Sequence, residues 1–301
     1  MRSVRFFFHH PFEIFARTAS LVRNIIPDKQ YIKILFRSRM GYKLDLKDPK
    51  TFSEKLQWLK LYDRRPEYVR MVDKLAAKEY VGSIIGQEFI IPTLGVWNRA
   101  EDIEWDSLPE QFVLKCTHDS GGIVICHDKS KLDILEAVDV LNTSLNRDYY
   151  LVGREWPYKN VPRRIIAEKL IEPEHSGKDL FDYKFFCFDG VVRMIEVDYN
   201  RFIHHNRNLY SPEWERINAE LGYPSQPGIE FQRPPELDIA IQAARKLSMG
   251  IPHIRVDFYF VGGHVYFGEL TLYHGSGMEY TKPESFNRLM GDWIALPNRN
   301  K

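Results

Sequence analysis

Carboxylates with the spacing of a metal site occur in two short segments late in the sequence, Arg-Val-Asp and Glu-Leu-Thr. Side chains alternate between the two faces of a strand, so Arg255 and Asp257 share one face. Glu269 and Thr271 share one face of the next strand for the same reason. Neighbouring carboxylates repel unless a cation lies between them, and Mg²⁺ is usually held by one or two carboxylates together with phosphate oxygens. The segments therefore predict an Mg²⁺ site formed by Asp257, Glu269 and Thr271.

The turn between these two strands decides whether the carboxylates meet. A two-residue turn at residues 262–263 pairs Asp257 with Gly268 and sends Glu269 to the opposite face of the sheet. A three-residue loop over residues 262–264 pairs Asp257 with Glu269 directly. The metal site therefore predicts the longer loop or a β-bulge, and carboxylates on opposite faces would exclude the site.

The sequence around Lys115 has the form of a phosphate-binding loop. A strand predicted over residues 111–116 carries the lysine, and a short loop with two glycines leads into a second strand. Backbone N–H groups in such a loop can close over phosphates, while the lysine supplies a point charge. The loop residues expected to contact the phosphates are His118, Ser120, Gly121 and Gly122. A lysine beside a Gly-Gly turn is also common in ordinary hairpins, so both interpretations stay open here.

Two further charged positions could contact a nucleotide. Glu168 and Lys169 interrupt an apolar strand, where they could meet the amine and a ring nitrogen of adenine, with the backbone of Leu170 and Ile171 completing the contact. A solvent-exposed ion pair is the alternative. Lys184, within a predicted strand, could meet the γ-phosphate or an acidic substrate, although charges on hairpins usually do neither.

The elements that must position these residues follow an α+β pattern. Thr51 and Glu54 form a capping box that starts a helix ending near Pro66. Further helices are predicted over residues 73–85, 132–145, 237–249 and 285–296, and strands over 111–116, 123–126, 164–171, 181–188, 191–197, 254–260 and 265–271. We expect a basic amphipathic helical arm over 1–47, a helical N-terminal or substrate region over 48–107, and two α+β subdomains over 108–172 and 173–301.

Composition bounds the class of protein. The 301 residues are 44% hydrophobic and 28% charged, which predicts a globular chain of one large domain or two coupled ones. The formal net charge of +1 gives no sign of a nucleic-acid partner. Cys116, Cys126 and Cys187 form no CxxC pair, which fits a reducing compartment. No apolar stretch approaches the ~20 residues of a spanning helix, so the sequence predicts a cytoplasmic protein.

The positive charge is concentrated at the N-terminus. Residues 1–47 hold ten lysines and arginines against three acidic residues, a net of +7, so the remaining 254 residues carry −6. Apolar residues recur there at helical spacing, namely Phe12, Phe15, Ala19, Val22 and Ile26, and a second helix is predicted over 27–41. The arm could dock on an anionic membrane surface at the inner face of the membrane, or pack against the body of the protein.

Taken in order, several segments resemble the motifs of the ATP-grasp superfamily. Their sequences are most similar to those of D-alanine:D-alanine ligases. The matching segments are Val72-Asp-Lys74-Leu-Ala-Ala-Lys78, Phe112-Val-Leu-Lys115 through Gly122, Glu168-Lys169-Leu170, Arg255-Val-Asp257 and Glu269-Leu-Thr271. A second set of segments resembles one branch more specifically. This is the TupA-like, teichuronopeptide-biosynthesis branch, whose members are found with bacterial surface-polysaccharide genes. These segments are Thr51-Phe-Ser-Glu-Lys-Leu-Gln-Trp58, Asp73-Lys74, Leu108-Pro-Glu-Gln-Phe-Val-Leu-Lys115, Asp182-Tyr-Lys-Phe-Phe186 and Phe267-Gly-Glu-Leu-Thr271. The resemblance covers roughly residues 40–295.

The resemblance implies an ATP-grasp fold, in which two α+β subdomains clasp ATP, here with a helical N-terminal extension. It implies that Lys74 and Lys115 hold the phosphates and that Arg255 stabilises charge on the transferred phosphoryl group. Gly277 stands where the family places a glycine whose backbone stabilises a tetrahedral intermediate. Thr271 departs from the family's usual asparagine and leaves a second metal ion in question.

The activity implied is amide ligation through an acyl phosphate, with ATP and Mg²⁺ as cofactors. The partners would be a small-molecule carboxylate and an amine or saccharide acceptor, with a uronic acid or amino acid joined during surface-polysaccharide synthesis. Two alternatives stay open, a glycosyltransferase of the same pathway and a nucleotide-binding module without catalysis. The first would need a nucleotide-sugar site, and the sequence has neither a DxD nor a GxGxxG motif.

Overall fold

The computed structural model describes residues 25–171, 180–200, 205–226 and 228–298. The helices are α1 (Asp28–Met40), α2 (Phe52–Tyr62), α3 (Glu67–Val72), α4 (Ala76–Ile85), α5 (Ile134–Leu145), α6 (Tyr150–Gly153), α7 (Leu237–Ser248) and α8 (Glu284–Asp292). The strands are β1 (Thr93–Trp97), β2 (Phe112–Cys116), β3 (Ile123–Cys126), β4 (Ile165–Lys169), β5 (Asp182–Phe188), β6 (Val191–Tyr199), β7 (Asn206–Tyr210), β8 (Arg216–Ile217), β9 (Glu220–Leu221), β10 (Ile254–Val261), β11 (His264–Thr271) and β12 (Thr281–Lys282).

Two antiparallel sheets organise the described chain. The smaller sheet has the strand order β1-β4-β2-β3, and the larger has the order β11-β10-β5-β6-β7-β8. Each sheet has a hydrophobic core of its own. Strands β9 and β12 form a separate two-stranded pair. This mixed helix and sheet content agrees with the α+β class expected from the sequence.

The smaller sheet packs its core against helix α5. Alternate residues of β2, Phe112, Leu114 and Cys116, are fully buried, as the period of two requires. Leu141 of α5 lies in the same cluster. Asp133 caps that helix by accepting a hydrogen bond from the Glu136 N–H. The alternation leaves Lys115 on the opposite face of β2, away from this core.

The larger sheet is covered on one face by helix α7. That helix buries Ala240, Ala244 and Leu247 and packs on β5, β6 and β10. Phenylalanines of β5 and β10, including Phe185 and Phe258, fill the same layer without exposure. The polar residues between them therefore point to the other face of the sheet, where the charged residues of β10 and β11 lie.

The β10–β11 hairpin has a two-residue turn together with a bulge. Val261 pairs with His264, so residues 262–263 alone form the turn. The register then shifts after Phe258, which pairs with Phe267, and Asp257 pairs with Glu269. Both turn glycines have positive φ, 62° and 74°, as a tight hairpin turn requires. The predicted bulge is confirmed, and the three-residue loop offered as its alternative is wrong.

Helix α1 packs against the body of the protein. It buries Tyr31, Ile32, Leu35 and Phe36, which belong to the core of the larger sheet. Gly41 ends the helix in the left-handed region, with φ at 79°. Within residues 25–47, packing is therefore the interpretation that the structure supports. The predicted stripe from Phe12 to Val22 lies outside the described residues.

Most predicted elements are present within a few residues of their expected ends. The capping box at Thr51 and Glu54 is formed in both directions and starts α2. The short elements α3, β1, β7 and β8 were not expected. Strand β1 contributes an edge to the smaller sheet from within the region 48–107, where only helices were predicted. Across the described ranges, no helix is both long and apolar enough to span a bilayer.

Candidate active site

Asp257 and Glu269 lie directly opposite each other on β10 and β11, with Arg255 between them. The Arg255 Nε and one terminal nitrogen donate to the two oxygens of Asp257 at 2.7 and 2.6 Å. The same terminal nitrogen donates to Glu269 Oε1 at 2.5 Å. The bidentate contact fixes the guanidinium plane, so the three predicted residues form one rigid group.

The two carboxylates differ in environment. Asp257 is buried, which raises its pKa, and the nearby carboxylates of Asp182 and Glu269 raise it further against the effect of Arg255. The Glu269 side chain is 40% exposed. Burial acts to raise its pKa, but Arg255 and Lys74 outweigh burial and lower it to about 2. Glu269 is therefore ionised, and of the two carboxylates it is the more exposed to a ligand.

Thr271 completes the group that the sequence proposed for Mg²⁺. Its hydroxyl donates to Glu269 Oε1 at 3.0 Å, so it lies in the same cluster as the two carboxylates. The oxygen donors fit a hard cation such as Mg²⁺. No group of three or more His, Cys, Asp or Glu side chains in the described ranges is arranged to hold a metal. Mg²⁺ at a nucleotide does not need one, because phosphates supply further oxygens.

Acidic residues outnumber basic ones on this face of the larger sheet. Lys184 lies opposite Asp257 in the ladder, and its amine contacts Asp182 at 2.5 Å and Asp198 at 2.8 Å. Burial acts to lower the pKa of Lys184, but these carboxylates outweigh it and raise the pKa. Arg207 contacts Asp198 at 2.8 Å as well. The surplus of carboxylates favours a bound cation.

A second charged group lies on the smaller sheet around Glu168. Lys115 is ion-paired with one oxygen of Glu168, and the Lys78 amine lies 2.5 Å from the other. Lys78 also donates to the Ile91 carbonyl at 2.7 Å and to Thr93 Oγ1 at 2.9 Å. Burial acts to raise the pKa of Glu168, but the two lysines outweigh it and lower the pKa. The Glu168 carboxylate is thus held by lysines in this structure.

Lys74 links the two charged groups. Its backbone N–H donates to the Thr117 carbonyl at 3.1 Å, and its amine donates to the Asp119 carbonyl. Burial lowers the pKa of Lys74, while the charge of Glu269 acts in the opposite direction and that of Lys115 reinforces the lowering. Lys74 and Lys115 are therefore close enough to influence each other, and Lys74 acts on the carboxylate group of the larger sheet.

The loop over residues 117–122 is held by buried side chains. The His118 ring is buried and contacts the Arg147 carbonyl at 3.2 Å, and burial lowers its pKa. Asp119 accepts from Ser144 Oγ at 2.8 Å. The His118 side chain is thus buried against Arg147, so only the backbone of His118 remains for contact with a ligand.

The exposed part of this loop is small. Ser120 is exposed, and Gly121 and Gly122 have φ values of 154° and 53°. A Cβ atom at Gly122 would collide with the Ser144 side chain. Glycine at that position therefore allows the backbone to approach helix α5, which is the use that phosphate-binding loops make of glycine.

The predicted hinge continues from the end of β4. Lys169 is exposed and its N–H donates to the Pro92 carbonyl at 3.1 Å, while Leu170 and Ile171 are half-buried. Because the Glu168 carboxylate is engaged by lysines and the Lys169 N–H by Pro92, the backbone of residues 170–171 is the part of the predicted hinge left to contact a ring. The roles predicted for these four residues stay predictions.

A left-handed turn follows β11. Gly275, Ser276 and Gly277 have φ values of 53°, 55° and 64°, and only glycine adopts this region without strain. The turn packs on helix α2, where Gln57 donates to the carbonyls of Ser276 and Gly277 at 3.0 and 3.1 Å. Gly277, predicted to act through its backbone, is thus held in a defined conformation.

Three residues that the sequence did not single out extend the group around Arg255, namely the buried His274 and Arg207 and the half-buried Glu279. A terminal nitrogen of Arg255 contacts His274 Nδ1 at 2.8 Å, and His274 Nε2 contacts Glu279 at 2.9 Å. Arginine can only donate, so His274 accepts at Nδ1 and donates from Nε2. Glu279 in turn contacts Arg207 at 3.2 Å. The proximity of His274 to the Gly-Ser-Gly turn was the available signal in the sequence.

Two antiparallel sheets, one with Lys115 and Glu168 and the other with Asp257 and Glu269, are the arrangement expected of an ATP-grasp protein. The chain belongs to the TupA-like ATPgrasp family, whose model matches residues 54–295. The fold and the branch expected from the sequence are thereby confirmed.

Solved structures show a distant likeness. D-alanine-D-alanine ligase from Helicobacter pylori matches 81% of this chain and 69% of its own at 14% identity, with a TM-score of 0.43. D-alanine-D-alanine ligase from Bacillus anthracis, complexed with ATP, matches 74% and 63% at 19% identity, with a TM-score of 0.41. The ADP complex of N5-carboxyaminoimidazole ribonucleotide synthetase matches 73% and 50% at 14% identity, with a TM-score of 0.43. The chain thus spans between half and 69% of these proteins. A search of curated proteins found no match.

Proposed function

We propose that this protein is an ATP-dependent ligase that joins a carboxylate to an amine through an acyl phosphate. The observation that carries the proposal is the pairing of Asp257 with Glu269 around Arg255, with Lys74 near enough to lower the pKa of Glu269. Paired carboxylates, a bidentate arginine and two lysines are the groups that phosphoryl transfer needs for charge neutralisation.

Lys74 and Lys115 would hold the phosphates of ATP. Lys115 lies on β2 and Lys74 precedes helix α4, and the charge of Lys115 contributes to lowering the pKa of Lys74. Two lysines near each other and near a lysine-bound glutamate carry net positive charge, which a polyphosphate would neutralise. The backbone of residues 120–122 would close over the same phosphates, and residues 169–171 would contact the adenine ring.

Asp257 and Glu269 would hold Mg²⁺, with the Thr271 hydroxyl as a weaker neutral ligand or as a partner of a bound water. When bound, Mg²⁺ would neutralise the charge of the transferred phosphoryl group. Arg255, which is fixed by Asp257, would stabilise charge on the phosphoryl and carboxylate oxygens. Its orientation is set before substrate arrives, and such preorganisation is what makes electrostatic stabilisation effective.

The reaction would proceed in two steps. A substrate carboxylate oxygen bonds to the γ-phosphorus of ATP while the bond to the bridging oxygen breaks and ADP leaves. An amine nitrogen then bonds to the acyl carbon, inorganic phosphate leaves, and the nitrogen loses a proton. The enzyme's part is positioning and charge neutralisation, and the backbone of Gly277 would stabilise the tetrahedral intermediate of the second step.

The substrate class follows from the TupA-like resemblance rather than from the site. We propose a uronic acid or amino acid as the carboxylate and an amino compound or amino sugar as the acceptor, in the synthesis of a bacterial surface polysaccharide. On the acidic face of the larger sheet, beside the proposed site, Arg207 contacts the buried Asp198 and Glu196 and the half-buried Glu279. Negative charge there would favour an amine over a second anion.

We also propose that the protein works in the cytoplasm and contacts the anionic inner face of the membrane through its basic N-terminal part. Exposed lysines line a cavity of about 460 Å³ between α1 and the loop after it. They are Lys29, Lys33, Lys43 and Lys47. Within the described ranges, no carboxylate forms an ion pair with any of them. Basic clusters of this kind are attracted to anionic lipid.

One assay separates the ligase from its alternatives. The protein would be incubated with ATP, Mg²⁺, an amino acid mixture and uronic acids, and release of ADP and phosphate would be followed. Release that needs both a carboxylate and an amine supports the ligase. Binding of ATP without release under any mixture would indicate a non-catalytic nucleotide-binding module. Release of UDP from a sugar nucleotide would indicate a glycosyltransferase and overturn the proposal.

A further inference from the structure

A buried lysine of helix α2 contacts the left-handed turn over residues 275–277. The side chain of Lys60 has no solvent exposure. Its amine donates to the Gly153 carbonyl at 2.9 Å, to the Ser276 carbonyl at 2.8 Å and to Ser276 Oγ at 2.8 Å. A lysine ammonium has three protons, so each proton has an acceptor. Burying an ammonium costs free energy even when it is paired, which points to a role beyond filling space.

Gln57 makes the same kind of contact from one turn earlier in the helix. Positions three apart in a helix face the same side, and the Gln57 amide donates to the Ser276 and Gly277 carbonyls at 3.0 and 3.1 Å. The Ser276 carbonyl therefore accepts from both α2 side chains. A Cβ atom at Gly277 would fall within 2.8 Å of Leu56, so α2 also fits closely against the turn.

These contacts fix the direction of the turn's peptide groups. Three successive residues with positive φ form a conformation that costs about 1 kcal/mol or more at the non-glycine Ser276. The C=O and N–H of a trans peptide point in opposite directions. Holding the Ser276 and Gly277 carbonyls toward α2 therefore directs the Gly277 and Met278 N–H groups away from α2.

The turn is joined to the catalytic group on its other side. His274 directly precedes it and contacts Arg255 at 2.8 Å. Glu155, which is buried, hydrogen-bonds to Ser276 and lies near enough to Lys60, Arg255 and Glu269 to act on their charges. A shift of the turn would therefore move groups that touch Arg255.

We infer that Lys60 and Gln57 are positioning residues that hold the turn over residues 275–277 in the geometry needed for transfer of the acyl group to the amine. This inference rests on the proposed ligase function. It assigns α2 to the second step of the reaction, whereas Lys74 and Lys115 serve the first. Loss of the α2 contacts should therefore impair the second step while leaving ATP binding nearly unchanged.

The test compares two lysines of the same helix. Lys60→Met keeps the length of the side chain and removes its donors. Lys55→Met is the matched control, because the Lys55 amine also donates to two backbone carbonyls at 2.8 Å, but to those of Gly291 and Ile294 near α8. ATP affinity would be measured by calorimetry, the first step by positional isotope exchange in ¹⁸O-labelled ATP, and the whole reaction by amide formation.

For Lys60→Met we expect amide formation to fall by about 100-fold, the effect of a misplacement of roughly 1 Å, with ATP affinity and isotope exchange within about threefold of wild type. Lys55→Met should change ATP affinity, isotope exchange and amide formation by much less than 100-fold. Equal losses in both variants, or a loss of ATP affinity as large as the loss of amide formation, would overturn the inference. If Lys60→Met does not fold, Ser276→Ala removes one acceptor of the same amine and should give the same split to a smaller degree.

Hydrogen exchange keeps the inference separate from the proposed function. The Ser276 N–H donates to the Tyr273 carbonyl and the Met278 N–H to the Gly275 carbonyl, so both report on the turn. We expect their exchange to be faster in Lys60→Met than in Lys55→Met. Unchanged exchange would overturn the positioning role whatever the activity. If wild-type protein shows no positional isotope exchange with any carboxylate, the proposed ligase function itself would be refuted.

Discussion

Asp257 and Glu269 face each other because Gly268 forms a bulge between Phe267 and Glu269. The two-residue turn would otherwise pair Asp257 with Gly268 and place Glu269 on the core side of the sheet. A Cβ atom at Gly268 would lie 3.1 Å from the Tyr259 ring and 3.2 Å from the Asp257 carbonyl. One glycine thus decides which face of the hairpin carries the second carboxylate.

This pairing predicts a shared dependence on Mg²⁺. Asp257→Asn and Glu269→Gln should each raise the Mg²⁺ concentration for half-maximal ATP turnover by about 10-fold or more, because each removes an anionic ligand. The measurement is ATP turnover against Mg²⁺ concentration. Glu213→Gln, at an exposed position, is the control. Unchanged Mg²⁺ dependence in both site variants would refute the metal site.

Thr271 offers a gain-of-function test at the same site. Thr271→Asn introduces an amide oxygen, a better ligand for Mg²⁺ than a hydroxyl, and should lower the half-maximal Mg²⁺ concentration several-fold. Thr271→Val loses the contact with Glu269 and should raise it. Mg²⁺ titrations of the two variants should therefore move in opposite directions. A shift in the same direction would show that this position does not act through the metal.

Substitutions of Lys74 and Lys78 should separate effects on ATP binding from effects on stability. Lys74→Met removes a charge-assisted contact to phosphate, worth about 1.5–3 kcal/mol, and should weaken ATP binding by roughly 10- to 100-fold in calorimetry. Lys78→Met leaves the buried Glu168 with a single partner and should lower the free energy of unfolding by about 3 kcal/mol, measured with urea. We expect the larger loss of stability in Lys78→Met. The reverse order would contradict these roles.

Because of His253, the free energy of unfolding should decrease as the pH is lowered. Burial, which includes ring contacts with Phe52 and Phe188, lowers its pKa to about 3. The unfolded chain takes up the proton near pH 6.5 while the folded chain does not, so stability is lost as pH falls below that value. Between pH 7 and pH 5 we expect wild type to lose about 2 kcal/mol more than His253→Gln.

Urea unfolding at the two pH values measures this difference. His264→Gln, at an exposed position in the hairpin, should keep the wild-type pH dependence. A His253→Gln variant whose stability changes with pH as much as that of wild type would show that another group carries the effect.

Membrane contact predicts a specific loss of vesicle binding. Replacing the four lysines of the α1 cavity by glutamine should weaken binding to phosphatidylglycerol-containing vesicles at least 10-fold, since each basic residue near such a surface contributes about 1 kcal/mol. Cosedimentation with vesicles measures the effect. The control has the same change of charge at exposed positions elsewhere, Lys131, Arg245, Lys246 and Lys282. Equal losses in both variants would indicate nonspecific attraction, and no loss would exclude the cavity.

Local patterns in the sequence predicted much of the fold. The capping box at Thr51, the glycine turn of the β10–β11 hairpin and the period of two in β2 each depend on residues a few positions apart. Such signals need no tertiary information. Requiring two carboxylates on one face predicted a longer loop or a bulge, and the structure shows the bulge and places it at Gly268.

The contacts that complete the candidate site depend on distant positions. Lys60 meets Ser276 across 216 residues, and His274 meets Arg255 across 19. No local pattern relates such residues, so Lys60 reads in the sequence as an ordinary polar position of an amphipathic helix. Lys78 was within a recognised segment, but its pairing with Glu168 depends on how helix α4 lies against β1 and β4, where its amine contacts Thr93 and Glu168.

The docking of α2 on α8 has a consequence for synthesis of the chain. Ser53 and Lys55 of α2 contact Asn287 and Gly291, and Gly291 leaves no room for a Cβ atom beside the backbone at Lys50. Helix α2 also contacts Phe186 and the Gly153 carbonyl, but its contacts with α8 form only after residues 284–292 have been made. Until then the nascent chain lacks the packed helix that holds the turn at Ser276. The site is therefore fully supported only when segments 234 residues apart have met, and contacts between such distant segments form slowly during folding.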